Sequence, residues 1–319
     1  MSQPTSHVPR SERQAERAAR AEPERSRTGW PSEASVGAGP WHRAMRRLAR
    51  NRAALAGALL LAAIALACFV LPELLALDPS RTAPELHHQP PSAAHPLGTD
   101  ALGRDLLARV LVGGRTSLLV GLAAALASAS IGVVWGGVAG YVGGAVDEAL
   151  MRIVDFLYGL PYMFLVILVM LLFSDTARGR ALPVFVALGL VQWLGMARIV
   201  RGEVLALRGR DFVLAARALG ASDARILFRH VLPNCLGPIV VVATLGVPSV
   251  IILESYLSFL GLGVELSWGQ LVAEGVAVVN PIASPWWLLV FPSAFLAATL
   301  LALNFLGDGL RDALDPRSG

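Results

Sequence analysis

The sequence predicts an all-α membrane protein with six transmembrane helices. Three observations carry that expectation. The 319 residues are 55% hydrophobic and only 16% charged, with a mean hydropathy of +0.59, too apolar for an ordinary soluble domain. Apolar runs recur at about the 20-residue length that a helix rising about 1.5 Å per residue needs to cross a hydrocarbon core of about 30 Å. The strand alternation of a membrane barrel is absent. Helices are then required, because backbone polar groups in lipid must be satisfied within the segment.

Residues 1–41 are rich in Arg, Glu, Ser, Pro and Gly, and read as a disordered, solvated tail. Six apolar segments follow, at about 53–72, 117–140, 151–173, 181–200, 236–259 and 286–306. All 27 basic residues are Arg. With the N-terminus inside, 21 of them fall on cytoplasmic pieces, leaving Arg81, Arg104, Arg109, Arg115, Arg178 and Arg180 outside. Positive charge favours the inside, so both termini are expected in the cytoplasm.

Within the spans, Gly132, Gly136, Gly140 and Gly144 recur every four residues. They line one face with glycine, where another backbone can come close. Pro161, Pro248 and Pro292 each remove an intrahelical hydrogen bond and predict kinks. Asp155 and Arg152, three apart, predict a local ion pair, and Gln192 a bond to a neighbouring helix. Outside, "GTDALGRD" reads as a short interfacial helix with Asp100 as its cap. The adjacent His87 and His88 read as part of a solvated loop. Cys68 and Cys235 lie in different spans, so no disulfide is expected. No zinc-type spacing is present.

The segment between the fourth and fifth spans, "RDFVLAARALGASDARILFRHVLPN" (210–234), is polar but patterned. Phe212, Ala215, Ala216 and Leu219 share one helical face. Gly220 suits a left-handed helix end. Ser222 can cap a second helix, with Asp223 in its first turn, and Pro233 ends it before the fifth span. Arg217 and Arg225 are left to reach outward. Small side chains make a poor membrane anchor but suit entry into a groove on a partner protein. A connector packed under the bundle is the alternative.

"LAARALGASDARILFRHVLPN" resembles the EAA-type loop of ABC transporter permeases. Ala215, Ala216, Gly220, Leu232 and Pro233 match its pattern, whereas Leu214 stands at its Glu position and His230 at an apolar one. "HPLGTDALGRDLLARVLVGGRTSLLVG" (95–121), "ESYLSFLGLGV" (254–264) and "NFLGDGLRDALDPR" (304–317) resemble the C-type permease subunits for dipeptides, oligopeptides and nickel. Only Glu265 and Leu266 separate "SFLGLGV" from "SWG", a shorter stretch than these proteins often carry.

The resemblance implies the type I importer permease fold with cytoplasmic coupling helices. Residues 42–94 would hold the first span and an outside loop, and 95–319 a five-helix permease domain in a bacterial inner membrane. It implies a coupling loop, carried by Ala215, Ala216, Arg217, Gly220, Ala221, Leu232 and Pro233, that docks on a cytoplasmic ATPase. The expected partners are a second permease subunit, two such ATPases and an extracytoplasmic solute-binding protein, with no nucleic acid. The cargo would be peptides, with nickel or another small solute as the alternative. This chain would bind no cofactor; ATP and Mg would serve the partners. It has no Walker-type sequence and no Lys to complete one.

Candidates for the translocation path are Glu254, Tyr256 and Ser258. A carboxylate in a span faces the bundle interior or water, since exposure at the bilayer centre costs about 2.5–3.5 kcal/mol on insertion scales. Glu254 is open to a peptide ammonium, a cation or an Arg of the partner permease. A membrane enzyme would need a nucleophile with a base or a metal site; the spans hold no His. An ion-coupled transporter would show inverted repeats and several buried ionisable groups, and neither is evident. Deleting residues 2–41 is expected to leave uptake by the assembled transporter largely intact. Complete loss of uptake in the truncated chain would show that the tail does more.

Overall fold

The computed structural model describes residues 40–172, 181–279 and 284–314. The chain divides into two units, Met1–His42 and Arg43–Gly319. The tail expected over 1–41 lies outside the described residues save for its last two. Eleven helices are distinguished among the described residues: α1 Pro40–Leu48, α2 Arg52–Leu74, α3 Leu106–Val142, α4 Gly144–Gly159, α5 Tyr162–Leu172, α6 Ala181–Leu207, α7 Asp211–Ala218, α8 Asp223–Ile226, α9 Leu236–Phe259, α10 Trp268–Val278 and α11 Trp287–Leu314. Five are long and apolar enough to cross a membrane, and the bent pair α4–α5 makes a sixth span if counted as one.

The six expected spans are recovered, with instructive differences. α3 has 37 residues and starts eleven positions before the expected 117. The charges of Arg109 and Arg115 broke the hydropathy pattern there, but both are paired: Arg109 with Asp100 and Glu274, Arg115 with Glu73. The third span is not a kinked rod but two helices meeting at 92°. Leu160, the residue before Pro161, is extended, with φ −81° and ψ 139°, because a following proline disfavours the helical region. At Pro248 and Pro292, and also at Pro72 in α2, the helices run on.

The tightest seam joins α3 to α6. A Cβ on Gly136 would meet the Ala197 backbone, one on Gly140 the Arg201 carbonyl at 2.7 Å, and one on Gly132 the Met196 side chain at 2.5 Å. Three of the four expected glycines thus let α6 approach. Gly144 does not: nothing stands within 4 Å of its would-be Cβ, and its φ of +55° belongs to the turn into α4. Other packed pairs include α2 with α11, and α9 with α3 and α11, with α10 against both α9 and α11. Gly269 lies against the Ser255 backbone and Gly275 against Leu288.

At the Leu106 end of α3 a charged clasp holds the bundle together. The sequence predicted a helix capped by Asp100. Instead Asp105 caps α3, its carboxylate accepting from the Ala108 N–H at 2.9 Å, and the "GTDALGRD" stretch is a tight loop. Asp100 accepts from the Leu102 and Arg104 N–H groups at 2.8 and 2.9 Å. Its other oxygen takes Arg104 Nε and Arg109 Nη1, each at 2.7 Å. Arg109, 3% exposed, reaches across to Glu274 of α10 with two bonds, 2.6 and 3.0 Å. These charges border a cavity of about 280 Å³ walled by Leu106, Leu271 and Leu288. Burial raises the Asp100 carboxyl, but the Arg104 and Leu102 N–H groups and the two guanidinium groups overcome it, holding it below the usual carboxylate range. A depressed carboxyl contributes stability at neutral pH that is lost as pH falls through its native value.

Gly136→Val is expected to separate α3 from α6 and lower the thermal midpoint in detergent by several degrees. Gly159→Ala, whose would-be Cβ meets nothing within 4 Å, is expected to leave it nearly unchanged. Equal midpoints would refute the seam. Arg109→Ala leaves Asp100 without one of its two cations and is expected to cost about 3–5 kcal/mol, the usual price of breaking a buried pair.

Candidate functional site

The loop after α6 is built from two short helices over an apolar core. α7 buries Val213 and half-buries Ala216 against α3, α8 and the chain beyond; α8 and its continuation bury Ile226, Leu227, Val231 and Leu232. The turn between the helices follows the left-handed glycine pattern expected at Gly220, whose φ is +79°. The Ala221 N–H reaches back to the Ala216 carbonyl at 3.1 Å and the Gly220 N–H to that of Arg217 at 3.0 Å. These are the paired bonds of a Schellman end. Ser222 occupies the N-cap position of α8, but its side chain makes no capping bond.

Pro233 does not end this segment. A π turn, Leu227–Val231, and a 3₁₀ turn, Leu232–Cys235, carry the helix directly into α9. Proline cannot donate to the carbonyl four residues back, and the change of helix type absorbs that loss. Asn234 Nδ2 and Cys235 Sγ bond the His230 and Val231 carbonyls. The second helix of the loop and the fifth span are therefore one continuous rod. Cys235 and Cys68 are both buried and unpaired, as expected.

The expected face of α7 splits. Phe212, Ala215 and Leu219 point outward, while Ala216 turns inward. Leu219 is 88% exposed, with Phe228 at 55% and Leu214 at 51%. Of the residues matched to the loop pattern, Leu232 belongs to the core and Pro233 is exposed. Arg217 is exposed, as expected, but turns one guanidinium nitrogen back onto the bundle. Its Nη2 donates to the Tyr141 hydroxyl at 3.2 Å and stands 3.7 Å from Asp223.

Further ties fix the ends of α3 and α4 beside this loop. Arg201 of α6 grips Asp147 with two bonds, 2.5 and 2.7 Å. Arg208 donates to the Gly140 carbonyl at 3.2 Å. Asp155 pairs with Arg198 at 2.6 Å rather than with Arg152, because Arg198 is held over the Tyr158 ring, 4.0 Å from its centroid. Nothing in the sequence pattern marks Tyr141 or Asp147; their partners lie more than fifty residues away.

The path candidates separate. Glu254 and Ser258, four apart on α9, are buried together, whereas Tyr256 is half-exposed on another face. Ser258 donates to Glu254 Oε1 at 2.6 Å and Ser117 of α3 to Oε2 at 3.4 Å. Ser267, the cap of α10, donates to Ser258 at 3.0 Å, and the Trp268 N–H to Ser117 at 3.2 Å. Glu254 is wholly enclosed, so in this conformation it knits three helices together rather than facing an open path. Ser117 and Ser267 complete that cluster. The sequence offered only the cap signal of Ser267, a serine three residues before Gln270, for either.

Residues 132–319 match the family described as the binding-protein-dependent transport system inner membrane component. Residues 39–91 match the N-terminal transmembrane domain of oligopeptide transport permease C. The oligopeptide transport system permease protein OppC of Haemophilus influenzae is 45% identical over 282 residues, 87% of this chain and 88% of that one. The dipeptide transport system permease protein DppC of Bacillus subtilis is 45% identical over 86% and 85% of the two chains. The Escherichia coli K12 OppC is 46% identical over 87% and 91%. In fold, the chain is similar to an inward-facing form of the MetNI methionine ABC transporter, with a TM-score of 0.52 at 21% identity, over 66% of this chain and 98% of that one. The expected importer permease architecture is thereby seen in three dimensions. The chain belongs to the binding-protein-dependent transport system inner membrane components, the membrane permease subunits of ABC importers.

Proposed function

We propose that the chain forms, with a second permease subunit, the path by which di- and oligopeptides enter the cell. An extracytoplasmic binding protein delivers them, and two cytoplasmic ATPases drive the cycle with ATP and Mg. The observation that carries the cargo is identity of 45% or more, over at least 85% of each chain, to permeases of oligopeptide and dipeptide systems. The arginine bias of the sequence supports placing both termini in the cytoplasm of an inner-membrane protein.

In this reading the loop from α7 into α9 is the docking element. Ala215 stands on its outer face with Phe212 and Leu219, while Ala216, Arg217, Gly220 and Ala221 hold its shape; Leu232 and Pro233 join it to α9. Small residues admit a close approach, and the exposed Leu219 and Phe228 supply apolar area to a cleft on the ATPase. Two arrangements of that contact, with and without ATP, would bias the path between its two openings. Hydrolysis belongs to the ATPases, and this chain supplies no catalytic group. Residues 1–41 are a tail, 42–94 a peripheral span with its loop, and 95–319 the permease domain proper. Glu254 and Ser258 become path residues only when the seam between α3, α9 and α10 opens.

The complete transporter, reconstituted in liposomes with labelled di- and oligopeptides, is expected to take them up in the presence of ATP. Uptake of nickel but of no peptide would overturn the cargo, and uptake by this chain alone without ATP would overturn the whole reading. Ala216→Glu places a charge against the half-buried face of α7, and Gly220→Val strains a left-handed position. Each is expected to leave insertion intact while lowering uptake per ATP hydrolysed at least tenfold, about 1.4 kcal/mol of lost coupling. Wild-type ratios in both variants would remove the loop from the docking role.

A further inference from the structure

Resting on that docking reading, we infer that Tyr141 is a positioning residue, which fixes the docking loop to the end of α3. Tyr141 lies in the last turn of α3, its ring in the apolar core beneath the loop with Val213, Ile226 and Leu227. Its hydroxyl donates to Asp223 Oδ1 at 2.8 Å and accepts from Arg217 Nη2 at 3.2 Å. Asp223 opens α8 and Arg217 is in the last turn of α7. One phenol therefore holds both helices of the loop, across the Gly220 turn that separates them.

The chemistry suits the task. A phenol hydroxyl both donates and accepts, so it can sit between a cation and an anion that are too far apart, at 3.7 Å, for a close bond of their own. Its ring turns about only two torsions, so a load on the loop is not lost in side-chain motion. The last turns of α3 are anchored in turn to α6, through the Gly140 seam and the Arg208 bond to the Gly140 carbonyl. Force arriving at α7 thus passes to α3, instead of being spent in swinging α7 about its ends near Gly209 and Gly220. Without the hydroxyl, α7 keeps its buried Val213 and still folds and docks. What it loses is a fixed angle to α3.

The test uses the full transporter in liposomes, with a benzophenone attached at Leu219→Cys as a reporter of contact with the ATPase. In Tyr141→Phe, cross-linking to the ATPase is expected at wild-type yield, while peptide uptake per ATP hydrolysed falls several-fold. Asp223→Ala removes the acceptor at an exposed position and is expected to show the same split, which guards against a folding defect of the Tyr141 variant. An intact cross-link with wild-type uptake per ATP in both variants overturns the role of Tyr141. Absence of the cross-link in the Leu219→Cys background with Tyr141 present overturns the docking reading itself.

Discussion

The close approach of α3 and α6 is the contact on which the rest of the structure depends. Helices in lipid gain little from hydrophobic burial against one another, so their association rests on packing and on the few polar bonds that packing brings within reach. Gly132, Gly136 and Gly140 let the α6 backbone come against α3 where any side chain would hold it off. Only at that separation can Arg208 find the Gly140 carbonyl and Arg201 close on Asp147. The loop helices α7 and α8 hang from the end of this seam. Their own buried area is small, and a four-residue helix such as α8 has no independent stability. They are ordered because α3 and α6 present a fixed floor of Val200, Val204 and Tyr141 beneath them.

Helix continuity is the second constraint. α8 passes through a π turn and a 3₁₀ turn into α9 without a flexible joint. A proline within a membrane helix normally leaves a carbonyl unsatisfied, and side chains or altered turns must take it up. Here the helix changes type on either side of the proline, and the Asn234 and Cys235 side chains bond the neighbouring His230 and Val231 carbonyls. The loop is thus attached to the bundle in two ways, through α9 along the chain and through the end of α3 across space. Any displacement of α7 is shared between these two spans, and α3 and α9 are the helices that meet at Glu254.

Much of this was legible in the sequence, and the failures have physical causes. All six spans stood out from hydropathy because lipid demands long apolar helices, although the third is a bent pair, and the fifth was placed at both ends. Gly220 was legible because only glycine adopts its backbone angle without strain. The start of α3 was hidden because Arg109 and Arg115 are satisfied by partners distant in sequence, and hydropathy counts a charge as exposed whether or not it is paired. Asp100 was read as a cap because cap chemistry is local, yet Asp105, five residues on, has the same chemistry and is better placed. Asp155 was assigned to Arg152 by helical spacing, but Arg198 reached it from another helix. Leu232 and Pro233 were assigned to the coupling loop by resemblance; Leu232 packs in the core beneath it and Pro233 is exposed. Tyr141, Ser117 and Glu274 could not be found at all, since each acts through a residue at least eighty positions away.

The two seams of the bundle differ in kind, and the difference bears on how such a protein can move. The α3–α6 seam is backbone against backbone, with glycine and methyl contacts that water cannot replace. Separating it would expose peptide groups and leave voids, each at a full desolvation or packing cost. The seam where α3 meets α9 and α10 is different. Glu254, Ser117, Ser258 and Ser267 hold it by hydrogen bonds among oxygens, and the Arg109–Glu274 clasp closes the same side. Water entering there can restore to each polar group the bond it loses, while the buried Ile251, Trp268 and Leu271 of the same seam would lose their packing. The bundle thus has one seam dominated by backbone contacts and one in which a polar cluster is set among buried apolar side chains. Polar residues inside these apolar helices gather where α3 meets α9 and α10, while glycines serve both seams, Gly132, Gly136 and Gly140 against α6 and Gly113, Gly114 and Gly121 against α10 and α9.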